Sequence, residues 1–228
     1  MLEKYKQGPF ITYTLFGLQV VVFLLEYFLP VKQLGSMYGP FVAYLHEYWR
    51  FVTPIFIHYG LMHIVFNSVV LYYMGQQLEA IYGHWRFLAI YLLSGILGNM
   101  TSFAFNQVNV SSAGASTALF GMFGAFVAMG LHFKHYPGFK ELTQQYLILI
   151  GLNLAFGLFG NGIDIFGHIG GVLGGFVLGQ TIAVPYQKES YRKSMQILFG
   201  LIFVFLCIFC LLYGFKKYQL LVDRKSVV

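Results

Sequence analysis

Ser116, in Gly114-Ala115-Ser116-Thr117, and His168, in Gly167-His168-Ile169-Gly170-Gly171, each stand at the head of an apolar run. A serine hydroxyl is a weak nucleophile until a base takes its proton, and a histidine can take it and later return it to a leaving amine. The chemistry implied is hydrolysis of an amide, with Ser116 as nucleophile and His168 as general base. Such a reaction builds negative charge on the carbonyl oxygen, which needs donors aimed at it. His63 and Asn67 are four residues apart, share one helix face and offer side-chain donors. The backbone N–H of Ser116, unpaired at the start of a helix, offers a third. Asp164 precedes His168 by four residues and reads as the cap of its helix, so no buried carboxylate is an obvious third triad member. The expected machine is a Ser/His dyad.

Each of these residues has a plainer reading. A serine at a helix start is usually a cap, and glycine stripes are common in membrane bundles; the joint register of Ser116, His168, His63 and Asn67 outweighs those readings. Gly114 to Ala118 lacks the second glycine of a Gly-x-Ser-x-Gly elbow and no strand precedes it, which excludes an α/β-hydrolase. His58 and His63, five residues apart, would fall on different helix faces, and the His-Glu-x-x-His pattern is absent, so no metal is expected. Cys207 and Cys210 lie three apart in the last apolar run and read as buried thiols, with neither a disulfide framework nor a zinc site.

The elements that must position these groups are membrane helices. Of the residues, 58% are hydrophobic and 10% charged, with a mean hydropathy of +0.69; soluble domains are about half apolar and about a quarter charged. Apolar runs occupy residues 12–29, 54–77, 87–105, 116–133, 145–160, 165–182 and 195–215. Most approach the roughly 20 residues that cross a hydrocarbon core, and none alternates with the two-residue period of a β-barrel. The fifth run is the shortest, interrupted by Gly151, Asn153 and Gly157, and Gly160-Asn161-Gly162 separates it from the sixth. The first run contains Glu26 and no cleavage pattern follows it, so it reads as a retained span. The expected fold is all-α, a polytopic bundle of seven transmembrane helices.

Loop charge sets the expected orientation. With the amino terminus inside, cytoplasmic loops hold Lys4, Lys6, Arg86, Lys134, Lys140, Lys188, Arg192 and Lys193, and outer loops hold Lys32 and Arg50. Seven spans then leave Lys216, Lys217, Arg224 and Lys225 outside, against the bias. The net charge of +6 follows from topology and lipid contact and gives no reason to invoke nucleic acid. Spans two, four and six run from outside to inside, so His63, Asn67, Ser116 and His168 reach a common depth. His168 lies about 6 Å below Asp164, at 1.5 Å per residue, and the group sits below the outer surface. Small residues follow both heads: Gly121, Gly124, Ala125 and Ala128 after Ser116, and Gly170, Gly171, Gly174, Gly175 and Gly179 after His168. That spacing lets helices approach closely enough for a Ser to His hydrogen bond.

With these residues in view the chain resembles the rhomboid family of intramembrane serine proteases. The resemblance rests on Trp49-Arg50 in the first loop, the His58 to His63 to Asn67 segment, Gly114-Ala115-Ser116 with Gly121, and Asp164 through His168 to Gly174, covering spans two to six. It implies Ser116 as nucleophile, His168 as base, and His63 and Asn67 as oxyanion partners. Phe120 takes the place of an aromatic that packs on the catalytic histidine, and Gly114 and Gly171 are supporting residues. It implies a six-span core, residues 1–182, and a cytoplasmic linker, seventh span and tail, residues 183–228. The first loop, 31–53, is a partly membrane-embedded element with Trp49 and Arg50 in structural roles; Tyr38, Phe41, Tyr44, Leu45 and Tyr48 suit the headgroup layer. Glu79 and Arg86 flank the first inner turn as a scaffold contact or as groups facing water.

Transmembrane protein substrates and the lipid bilayer are the implied partners, with no cofactor. The expected setting is a bacterial cell membrane, with a cytoplasmic amino terminus and a site opening outward. One departure matters: many members carry glycine after the serine, where this chain has Thr117, whose methyl and hydroxyl would narrow the cleft or shift the oxyanion site. The alternative is a non-catalytic rhomboid-like protein that binds transmembrane helices, although such proteins typically lack the serine or histidine that this chain keeps. A transporter would need mid-span charges or paired repeats of broken helices, and only Glu26 is an acidic residue within a span.

Overall fold

The computed structural model describes residues 8–135, 141, 143–152, 163–185 and 191–225. The Gly160-Asn161-Gly162 break, Asn153, Gly157, Lys4, Lys6, Lys140 and Lys188 lie outside the described residues. The first apolar run forms helix α1, Phe10–Leu25. Its opening N–H groups have no partner within the helix, and the carboxylate of Glu79 supplies one, accepting from Ile11 N (2.9 Å), Thr12 N (2.8 Å) and Thr12 Oγ1 (2.6 Å). Glu79 is buried and also meets His84 Nδ1. It therefore anchors α1 and does not pair with Arg86, which corrects the expected contact. Glu26 falls at the end of α1 and not within it, where it accepts from His58 N (3.0 Å) and pairs with Lys32 (3.2 Å).

The first loop is built from α2 (Val31–Gly35), β1 (Met37–Tyr38), α3 (Gly39–Leu45) and two 3-10 turns, Tyr48–Phe51 and Thr53–Phe56. Arg50 holds it together. A buried cation is costly unless fully paired, and this guanidinium donates to Ser36 O (2.6 Å), Gln33 O (2.9 Å) and Glu47 Oε2 (2.5 Å). Trp49 donates its indole N–H to Leu34 O at 3.0 Å while half its surface stays exposed. Tyr44, Leu45 and Tyr48 are likewise exposed.

The second run becomes α4 (Leu61–Val70), a π turn (Leu71–Gly75) and α5 (Gln76–Tyr82). After Gly83 comes α6, His84–Phe105. A two-residue strand β2, Ser111–Ser112, pairs antiparallel with β1 and leads into α7, Ser116–His132. Residues 143–152 are helical (α8), followed by α9 (Ile165–Thr181) and α10 (Lys193–Lys225). The order of elements is that of an all-α bundle.

Helices α6, α7 and α9 pack against one another as the central trio. Glycine permits the closest approaches: a Cβ at Gly171 would overlap the carbonyl of Thr117, and one at Gly175 would overlap the backbone of Gly121. Backbone cannot swing aside as a side chain does, so α7 and α9 require glycine there. Two helices, His84–Phe105 and Lys193–Gln219, are long and apolar enough to cross a membrane; α1, α7 and α9 are shorter apolar helices.

The charged tail that loop counting left unexplained has a partner. Lys217 Nζ donates to Phe103 O (2.6 Å) and Asn106 O (3.1 Å), where the last carbonyls of α6 carry partial negative charge. Tyr218 stacks on Phe103, ring centroids 5.2 Å apart and 9° from parallel, and its carbonyl accepts from Tyr44 Oη at 2.9 Å. The end of α10 thus joins α6 to the first loop.

Candidate active site

Ser116 is the first residue of α7 and His168 lies in the first turn of α9. The packing of those helices brings Ser116 Oγ within 2.8 Å of His168 Nε2. Phe120, one turn after Ser116, lies flat against the imidazole at 4.2 Å between centroids and 13° between planes. Among the described residues His168 Nδ1 has no hydrogen-bond partner. Among the described residues, stacking on Phe120 and not a carboxylate orients the ring.

The segment entering α7 is fixed from the first loop. Gly114 N donates to Pro54 O at 2.9 Å, and β2 pairs Ser111 with Tyr38 and Ser112 with Met37. Tyr59 Oη reaches Ser36 Oγ (2.8 Å) and Ser111 Oγ (3.0 Å). Gly114 adopts φ +146°, which side-chain-bearing residues rarely do, and a Cβ there would come within 2.8 Å of the His63 ring. Glycine at 114 lets the turn before Ser116 press against His63.

His63 opens α4, and its Nδ1 accepts from Tyr59 N at 3.3 Å. In the neutral ring the proton then sits on Nε2, which with Cε1 forms the edge of the ring nearest Gly114. Asn67 Nδ2 donates to His63 O at 3.0 Å, which engages one of its two hydrogens and leaves the other. His63, Asn67, Ser116 and His168 line one cavity of about 660 Å³, walled by Phe66, Leu119, Phe123, Leu149 and Ile163. The arrangement provides a hydroxyl, a histidine nitrogen within hydrogen-bond reach of it and donors beside it, in a largely apolar cleft.

Two readings are corrected here and a third is extended. Thr117 does not belong to the cleft: it is 5% exposed and packs where a Cβ at Gly98 or Gly167 would meet its side chain. It follows Ser116 in a helix, so its side chain turns about 100° away toward α6 and α9. His58 is not on the helix of His63 but in the irregular segment before it, so the helical face argument does not apply; the two rings meet edge to face at 5.2 Å. Asp164 is more than a cap. Its Oδ1 accepts from Gly167 N at 2.8 Å, as expected, while Oδ2 accepts from Ser102 Oγ (2.5 Å) and Ser112 Oγ (2.6 Å). Sequence reasoning passed over Ser102 and Ser112, since a serine at the end of an apolar run or in the loop after it carries no mark of a partner 62 or 52 residues away.

The chain is similar to known proteins. The Rhomboid domain family matches residues 45–185. Rhomboid protease GluP of Bacillus subtilis is 33% identical over 215 residues, covering 90% of this chain and 41% of that protein. RHOMBOID-like protein 1 of Arabidopsis thaliana is 34% identical over 72% of this chain and 42% of its own length. Rhomboid-like protease 3 of Toxoplasma gondii is 36% identical over 73% of this chain and 62% of its own. The chain thus spans about two fifths of the length of the first two relatives.

Proposed function

This chain belongs to the rhomboid family of integral membrane proteins, and we propose that it is an intramembrane serine endopeptidase cutting membrane proteins in or near their transmembrane segments by a Ser/His dyad. The observation that carries this reading is the 2.8 Å approach of Ser116 Oγ to His168 Nε2 at the wall of an apolar cleft. In the first step Ser116 attacks the scissile carbonyl as its proton passes to His168 Nε2. The oxyanion receives hydrogen bonds from His63 Nε2, the remaining N–H of Asn67 and the backbone N–H of Ser116. His168 then protonates the leaving amine, and water attacks the acyl-enzyme with His168 again as base. Losing one oxyanion donor costs about 10²- to 10³-fold in rate in enzymes of this kind.

The same reading divides the chain into a six-span core, 1–182, and a linker, seventh span and tail, 183–228. The amino terminus is cytoplasmic, the first loop is partly embedded, and water reaches Ser116 from the outer side. The experiment is cleavage of a model single-span substrate by purified protein in liposomes, native against Ser116→Ala and His168→Ala. Native protein should cleave and both variants should lose activity by at least about three orders of magnitude. Equal cleavage by native and Ser116→Ala would overturn the assignment. Binding of the substrate without cleavage by native protein would favour the non-catalytic alternative.

A further inference from the structure

We propose that Asp164 is a positioning residue for the dyad, a clamp that sets Ser116 and His168 in register; this rests on the protease reading above. An N-cap needs one carboxylate oxygen, and Oδ1 meets that need by accepting from Gly167 N at 2.8 Å. Oδ2 is turned to other work. It accepts from Ser112 Oγ at 2.6 Å, four residues before the nucleophile, and from Ser102 Oγ at 2.5 Å, on the helix that packs against both α7 and α9. The backbone carbonyl of Asp164 accepts from His168 N at 3.1 Å, so the same residue holds the first turn that bears the base. One side chain therefore joins the strand leading to Ser116, the helix carrying His168 and the helix behind them.

Charge-assisted bonds of this length are the stronger kind. Stacking on Phe120 sets the plane of the imidazole but supplies no directional bond within that plane, and Nδ1 has no hydrogen-bond partner among the described residues, so the position of the ring along the plane depends on the backbone that carries it. Sliding changes the distance from Nε2 to Ser116 Oγ, on which proton transfer depends.

The test uses the full chain in liposomes and reads kcat and KM separately for Asp164→Ala, Asp164→Asn and the double variant Ser102→Ala/Ser112→Ala. A displacement of about 1 Å from reacting geometry costs about 10²-fold. Asp164→Ala should lower kcat by about 10- to 100-fold with KM nearly unchanged. Asn keeps an oxygen for Gly167 N and should recover part of the loss. The serine double variant retains the cap and should still lower kcat, and joining its changes to Asp164→Ala should add little. If Asp164→Ala does not fold, the serine double variant decides alone. A kcat within twofold of native in the serine double variant, or equal loss in Asp164→Asn and Asp164→Ala, overturns the clamp. The dyad is judged separately by Ser116→Ala: if that variant is inactive while the serine double variant is fully active, the clamp fails and the protease reading stands.

Discussion

The side chain of Thr117 is packed between α6 and α9, beside Gly98 and Gly167. Its contribution is packing, so Thr117→Gly should leave the substrate profile unchanged and lower stability by about 1 to 2 kcal/mol, from lost contacts and from glycine in a helix. Thermal unfolding in detergent beside a cleavage-site comparison checks both halves; an altered profile would return Thr117 to the cleft. At this scale Ser116, His168, His63 and Asn67, four of the polar residues lining the cleft, were legible: the first two stand at or within a turn of the head of an apolar run, and the last two share one helix face within another. Ser102 and Ser112 were not legible. Periodicity reports which face of a helix a residue occupies, not which distant carboxylate its hydroxyl meets. His58 misled for the related reason that helical geometry was applied to a residue preceding the helix.

Helix packing depends on a few glycines whose neighbours are backbone atoms. At Gly175 an added methyl meets the main chain of Gly121, and neither helix can yield without separating along its length. Gly175→Ala should cost about 1 to 3 kcal/mol, typical of overpacking, and lower cleavage by parting Ser116 from His168. Thermal unfolding and activity measured on the same preparation check this, and native values for both would show that the interface is slack. The small-residue spacing that revealed this contact is visible in sequence because it repeats along one face. The cap on α1 is not visible in that way. Glu79 lies 67 residues from Thr12, and its role depends on where the first turn of α5 meets the start of α1. A run of apolar residues announces a helix without saying what satisfies its ends.

The whole molecule is closed by its last described helix. Lys217 at the end of α10 supplies the donor that the carbonyls of Phe103 and Asn106 lack, and Tyr218 covers the ring of Phe103. Lys217→Met, which keeps the chain length and removes the charge, should lower stability by about 1 kcal/mol. An unfolding midpoint equal to that of native protein would exclude the cap. Loop charge counting treated the tail as a matter of sidedness, while its lysine is a local matter of one helix end. Asn106 Nδ2 also reaches Ser102 Oγ at 3.4 Å, which places the cap next to the serine that meets Asp164. This contact has a consequence in time. A chain emerges from its amino end, so α6, α7 and α9 are made before Lys217 exists, and the end of α6 stays unfinished until translation has passed α10. The helix end next to Ser102 is therefore among the last parts of the described chain to be completed.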